Sequence, residues 1–195
     1  MDSGAARAFI LKLLKERLPP QRTYHCLEHT LDVYASTITI AEQEGVEGED
    51  LALLKIAALY HDAGFAVRDH DHEEASCNIA RETLPGFGFS ERQVARICSM
   101  IMATRIPQQP SDKLERILCD ADLDYLGRSD FKRIGDTLFN ELRTYGALRT
   151  EREWIELQAR FIERHTYFTD TCKRLREPVK QQHLSEVKER LRRNR

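Results

Sequence analysis

Leu51-Ala52-Leu53-Leu54-Lys55-Ile56-Ala57-Ala58-Leu59-Tyr60-His61-Asp62-Ala63-Gly64 is the stretch on which the fold turns. From Leu51 to Tyr60 only Lys55 interrupts the most apolar segment of the chain. A helix apolar on most sides is buried on most sides, so the segment from Asp50 to Asp62 reads as a central helix that Gly64 releases. It ends in an imidazole beside a carboxylate, and neither is cheap to bury unless a polar or charged partner replaces water. A metal ion is the simplest partner that serves both. Alone, the pair reads more readily as a helix C-terminal cation followed by a solvated loop acid.

Working outward, the same helical period recurs. Phe9, Ile10, Leu13 and Leu14 mark a helix from Ala5 to Leu18, which Pro19-Pro20 stops. Thr23-Tyr24-His25 opens a second, to about Glu44, with Leu27, Val33, Tyr34 and Ile38 as buried positions. After the charged loop Arg68 to Asp71, a fourth runs from His72 to Leu84 and stops at Pro85-Gly86. Ser90 and Gln93 have capping-box spacing, and Val94, Ile97, Cys98 and Ile101 follow at three and four residues. Leu114, Ile117, Leu118 and Ala121 predict a sixth helix ending near Gly127; Phe131, Ile134, Leu138 and Leu142 a seventh. Thr150 and Glu153 form another candidate capping box, Trp154, Leu157, Phe161, His165, Phe168, Cys172 and Leu175 predict one long eighth helix, and Val179, Leu184, Val187 and Leu191 a last one beyond Pro178. No stretch alternates with period two, so the expectation is an all-α fold, a single domain over 1–195 of about eight to nine helices, with 178–195 a basic C-terminal helix or tail.

At 195 residues, 41% hydrophobic and 32% charged, the chain is long enough for a substantial core. A net charge of -2 gives no overall attraction to nucleic acid or an anionic membrane. Basic residues concentrate only from Thr171 to Arg195, where such a run usually forms a solvated helix face. Five scattered cysteines, Cys26, Cys77, Cys98, Cys119 and Cys172, contain no CxxC and read as reduced, mostly core thiols. With no basic leader and no apolar run of membrane-spanning length, a cytoplasmic location is expected. The Trp154 to Leu175 stripe suits either the core or a twin subunit, so a homodimer stays open.

His25 and His29 are four apart, which on one helix places them on one face. Cys119-Asp120-Ala121-Asp122-Leu123-Asp124 puts three acids at alternate positions of an apolar helix end. Asp122 lies on one flank of the stripe and Asp120 and Asp124 on the other, and periodicity does not choose between them. A helix C-terminus disfavours carboxylates unless a cation is near. Arg68, Arg105 and Lys113 flank these motifs and are candidates for phosphate oxygens. His165 reads as a core histidine with one hydrogen bond.

The pattern H…HD…D resembles the HD-domain superfamily of metal-dependent phosphohydrolases. The wording is closer still: Tyr24-His25-Cys26-Leu27-Glu28-His29-Thr30, Tyr60-His61-Asp62-Ala63-Gly64-Phe65, His72-Glu73-Glu74-Ala75-Ser76 and Asp120-Ala121-Asp122-Leu123-Asp124-Tyr125-Leu126-Gly127 resemble a bacterial group of predicted HD-superfamily phosphohydrolases over about residues 5 to 185. The resemblance implies that His29, His61, Asp62 and Asp122 ligate one metal ion. Two imidazoles and two carboxylates suit Mn²⁺, Fe²⁺, Co²⁺, Ni²⁺ or Zn²⁺ better than Mg²⁺. By similarity to cyclic-nucleotide phosphodiesterases of the same superfamily, His25 would protonate the leaving oxygen. His72 and Glu73, with Asp120 as a further candidate, would serve a second ion or the substrate, Asp62 bridging as in binuclear members; those members carry further histidines downstream that this chain lacks before Asp122. The implied activity is hydrolysis of a phosphate mono- or diester of a nucleotide or related small metabolite. The alternative is a catalytically silent metal- or nucleotide-binding regulatory module.

Overall fold

The apolar periodicities become ten α-helices in the structure, a computed structural model that describes residues 1–193; Asn194 and Arg195, the end of the expected basic tail, lie outside the described residues. They are α1 (Ser3–Arg17), α2 (Leu27–Gln43), α3 (Gly48–Tyr60), α4 (His72–Thr83), α5 (Glu91–Ala103), α6 (Lys113–Asp122), α7 (Phe131–Thr144), α8 (Glu151–Arg164), the six-residue α9 (Asp170–Leu175) and α10 (Glu177–Arg193). Short 3-10 turns cover Ala63–Ala66, Leu84–Phe87 and Asp124–Gly127, and no strand occurs among the described residues. No described helix is long and apolar enough to cross a membrane.

Helix α3 is central, as its composition requires. It packs against α1, α2, α4, α5 and α6. Leu54, Ile56, Leu59 and Tyr60 are fully buried in the larger of two apolar clusters. Truncating such a leucine to Ala costs about 2–5 kcal/mol. The smaller cluster joins Leu126, Phe131, Ile155, Ile162, Leu184 and Val187 from α7, α8, α10 and the turn after α6. The two capping boxes are formed: Ser90 and Gln93 close the start of α5, and Thr150 and Glu153 the start of α8. None of the five cysteines is in a disulfide, and all but Cys26 are buried.

Three expectations are corrected. Helix α2 begins at Leu27, not at Thr23, because the amides of Tyr24 and His25 donate to Glu141 Oε2 (2.8 and 3.0 Å) rather than entering a helical ladder. Within α2, Val33 is buried, whereas Leu27, Tyr34 and Ile38 are half-buried. The long eighth helix is two. Helix α8 stops at Arg164, His165 turns extended, and the amides of Phe168 and Thr169 donate to Asp120 (2.9 and 2.8 Å), whereupon Thr169 caps α9. Helix α6 ends at Asp122, with Asp124 to Gly127 continuing as a 3-10 turn. The basic segment is helical and packs on α8, with Lys188 and Arg190 paired to Glu163 and Glu151 and Lys180 buried beside Glu177.

Candidate metal centre

Three helix ends meet at the seam between the two clusters. His29 stands in the first turn of α2, His61 caps the C-terminus of α3 with Asp62 next in the chain, and Asp122 is the last residue of α6. Two C-terminal dipole ends and two carboxylates make this a place for a cation. The Nε2 of His29 lies 3.4 Å from Asp62 Oδ2 and 3.2 Å from Asp122 Oδ1; the Nε2 of His61 lies 3.3 and 3.5 Å from the same two oxygens. Ligand atoms of His29, His61 and Asp122 all fall within 4.8 Å of one another. Both Nε2 atoms are buried without a hydrogen-bond partner. Such orphaned nitrogens facing carboxylates are what a bound divalent ion would satisfy, so the residues fit a metal.

The electrostatics agree. Burial alone would lower the His29 imidazole, yet Asp122 and Asp62 raise it to about 9, and His61 is raised well above its usual value by the same pair against the same burial penalty. Burial would likewise raise the two acids, but the imidazoles hold Asp122 down at about 2 and Asp62 well below the carboxylate range. Without an ion, two imidazole protons therefore balance the two carboxylates, the charge a divalent cation would supply.

The surroundings aim these groups. His61 Nδ1 donates to the Ala58 carbonyl (2.8 Å), which leaves Nε2 as the ligand nitrogen. Ser76 donates to the His61 carbonyl (2.7 Å) and accepts from the Gly64 amide (2.8 Å), locking the corner after α3 onto α4. Gly64 is required there: a Cβ would lie 1.9 Å from the His72 carbonyl oxygen. That close approach brings His72 in, with its Nε2 3.3 Å from Asp62 Oδ1 and 3.5 Å from Glu73 Oε1. Asp62 thus presents Oδ2 to one pair of imidazoles and Oδ1 to a third.

His25 reaches the site without sharing a helix with His29. Their ring centroids are 6.1 Å apart, and the His25 ring lies tilted against Phe65 at 4.3 Å. What holds it is Glu141 of α7, whose Oε1 accepts from His25 Nδ1 at 2.5 Å. Glu141 is 1% exposed and also pairs with the buried Arg22 (2.8 Å), which reaches Asp69 and lies between the Phe65 and Tyr145 rings. Burial would raise this carboxyl, but His25, Arg22 and the Tyr24 amide hold it down at about 2. Neither Glu141 nor Arg22 was expected from the sequence. A signal existed: Glu141 follows Ile134 by seven and Leu138 by three, an acid on the apolar stripe.

Other candidates are placed elsewhere. Asp120 turns away from the cluster and accepts from Phe168, Thr169 N and Thr169 Oγ1 (2.6 Å), pinning the α8–α9 junction. Asp124 binds Arg176, Arg128 and Ser36. Lys113 starts α6 and donates to the Glu44 carbonyl; nine residues of helix, roughly 13 Å, separate it from Asp122. Arg105 lies at the edge, paired with Glu73 (3.4 Å) and Asp71 (3.2 Å), while Arg68 pairs with the Asp71 carbonyl and Glu74. His165 lies between α8 and α9 with Nδ1 3.3 Å from Lys180 Nζ; burial and that cation lower it to about 4.

A cavity of about 200 Å³ opens from Asp62, Asp122, His72 and His25 toward α7 and α8. Comparison with known proteins places this geometry. A family model described as the HD domain matches residues 26–124. A solved structure of a predicted HD superfamily hydrolase from an uncultured Thermotogales bacterium is 25% identical, with 95% of this chain and 89% of that one covered and a TM-score of 0.61. A Lactobacillus plantarum protein of known structure shares the fold, at 18% identity, 97% and 98% coverage and a TM-score of 0.65. No curated protein matches the chain significantly.

Proposed function

The chain belongs to the HD-domain family, and on that premise we propose that it is a metal-dependent phosphohydrolase acting on a phosphate ester of a nucleotide or related small metabolite. The observation that carries the reading is the pair of orphaned, buried Nε2 atoms of His29 and His61 facing Asp62 and Asp122. These four residues would hold the ion, and two imidazoles favour Mn²⁺, Fe²⁺, Co²⁺, Ni²⁺ or Zn²⁺ over Mg²⁺. A divalent ion bound there acidifies water and polarises a phosphoryl oxygen. His72 and Glu73, which lie beside Asp62, are the residues that would hold a second ion.

His25 performs the proton transfer. Because the ionised Glu141 accepts from Nδ1, Nε2 is the nitrogen left to exchange a proton with a ligand in the cavity that His25 lines. As the water oxygen bonds to phosphorus, the ester P–O bond breaks and the leaving alkoxide takes the proton from His25 Nε2. The proton that the water gives up restores His25. Asp62 and Asp122, which the imidazoles hold ionised in the metal-free chain, would stay ionised as ligands of the ion.

The test is a panel of phosphate monoesters and diesters assayed with each of these metals. The reading expects turnover that is lost, together with bound metal, in His61→Ala and Asp62→Ala. A protein that binds nucleotides, as read by thermal shift, yet releases no product over hours with any metal would instead be a silent regulatory module.

A further inference from the structure

The cavity beside the metal centre has an uneven wall. At one end stand acids and imidazoles; elsewhere the wall is Tyr24, Tyr125, Leu138, Trp154, Leu157 and Phe161. Among the described residues lining it there is no Lys or Arg. The nearest arginines are already engaged: Arg22 with Glu141 and Asp69, Arg105 with Glu73 and Asp71, Arg68 with the Asp71 carbonyl and Glu74. Arg160 and Arg164 line an adjoining hollow, which shares Ile106, Leu123, Leu157 and Phe161 with this one. Polar groups in the apolar part are few: the Tyr24 and Tyr125 hydroxyls, which lie beside each other, the Gln158 amide, and Thr104, whose hydroxyl donates to the Ile101 carbonyl (2.8 Å).

Such a wall selects by what it refuses. The outer charges of a polyphosphate would lie against side chains that cannot pair them, and the hydroxyls of a sugar would lose water without gaining partners. A flat apolar body, by contrast, gains its transfer free energy and aromatic contacts. We propose, resting on the phosphohydrolase reading but narrowing its substrate away from nucleotides to another small metabolite, that the substrate carries a single phosphoryl group esterified to an apolar, aromatic alcohol, whose ring lies among Trp154, Leu157 and Phe161. Nucleoside triphosphates and sugar phosphates are poor substrates on this account.

Trp154 is the sole tryptophan and lines the cavity, so its emission reports occupancy without any turnover. The full chain, stripped of metal, is titrated with 2-phenylethyl phosphate, 2-phenylethanol and glycerol 3-phosphate; the metal-loaded chain is assayed on the two esters and on ATP. The leaving oxygens of the two monoesters are both alkyl, so rates compare the bodies. The expected results are an emission change with the phenylethyl ester and with its alcohol, none with glycerol 3-phosphate, and kcat/KM at least about ten-fold higher for the aromatic ester than for glycerol 3-phosphate or ATP. Leu157→Gln weakens the phenylethyl compounds about ten-fold while bound metal stays unchanged. Equal rates on both monoesters, faster turnover of ATP, or no emission change with 2-phenylethanol would overturn the proposal and leave phosphohydrolysis standing. An emission change without turnover of any ester would overturn phosphohydrolysis and uphold the aromatic pocket.

Discussion

Glu141 shows how much of the chemistry depends on one buried side chain far along the chain from its partner. Its carboxylate fixes the backbone ahead of α2, balances Arg22 and takes the Nδ1 proton of His25. Replacing it by Gln keeps the shape and removes the charge. The expected outcome is a fall in kcat of about 10²-fold with metal content unchanged, measured by steady-state kinetics beside elemental analysis; an unaltered kcat would deny the residue this role. Asp120 makes the opposite prediction. Because its oxygens hold Phe168 and Thr169, Asp120→Asn should cost about 1–3 kcal/mol in urea unfolding while the bound metal is kept. Periodicity left Asp120 and Asp122 as equals, since both flank one apolar stripe. Only the α8–α9 junction, whose Phe168 and Thr169 donate to Asp120, separates them.

At the scale of elements, helix order and most boundaries were legible in the sequence, because capping boxes at Ser90 and Thr150 and stops at Pro19 and Pro85 are local. What was not legible depends on distant partners. Glu141 delays α2 by about four residues, and Asp120 breaks the helical run at His165 although Phe168 and Cys172 keep its period. Thr169, which caps α9, was the available local signal. The corner joining α3 to α4 carries its own test. In Gly64→Ala the new methyl group meets the His72 backbone, which cannot rotate aside, so α4 must shift and carry His72 off Asp62. A destabilisation of about 3 kcal/mol is expected by calorimetry; a melting temperature equal to that of the parent would contradict the close packing.

For the whole molecule, two apolar clusters leave a seam, and the seam holds the charges. Those charges set the pH response of the metal-free chain. His29 is raised from 6.5 to about 9 and His61 is raised too, so their contribution to stability is complete below pH 6.5 and is lost as pH rises toward 9. Asp122, lowered from 3.8 to about 2, and Asp62, also held well below its usual range, contribute above pH 3.8 and lose that contribution as pH falls. Bound metal displaces the imidazole protons, so the alkaline loss should vanish in the loaded protein; parallel curves for both forms would contradict this. The family and its four motifs could be read from residue order, whereas the aromatic wall of the cavity could not, because α7 and α8 reach it only through the fold. The most direct test of the central claim is elemental analysis of the purified chain beside His61→Ala and Asp120→Asn. The account predicts roughly one transition-metal ion or more per chain, lost in His61→Ala and retained in Asp120→Asn. Equal metal content in all three proteins, or none in the parent after loading, would contradict it.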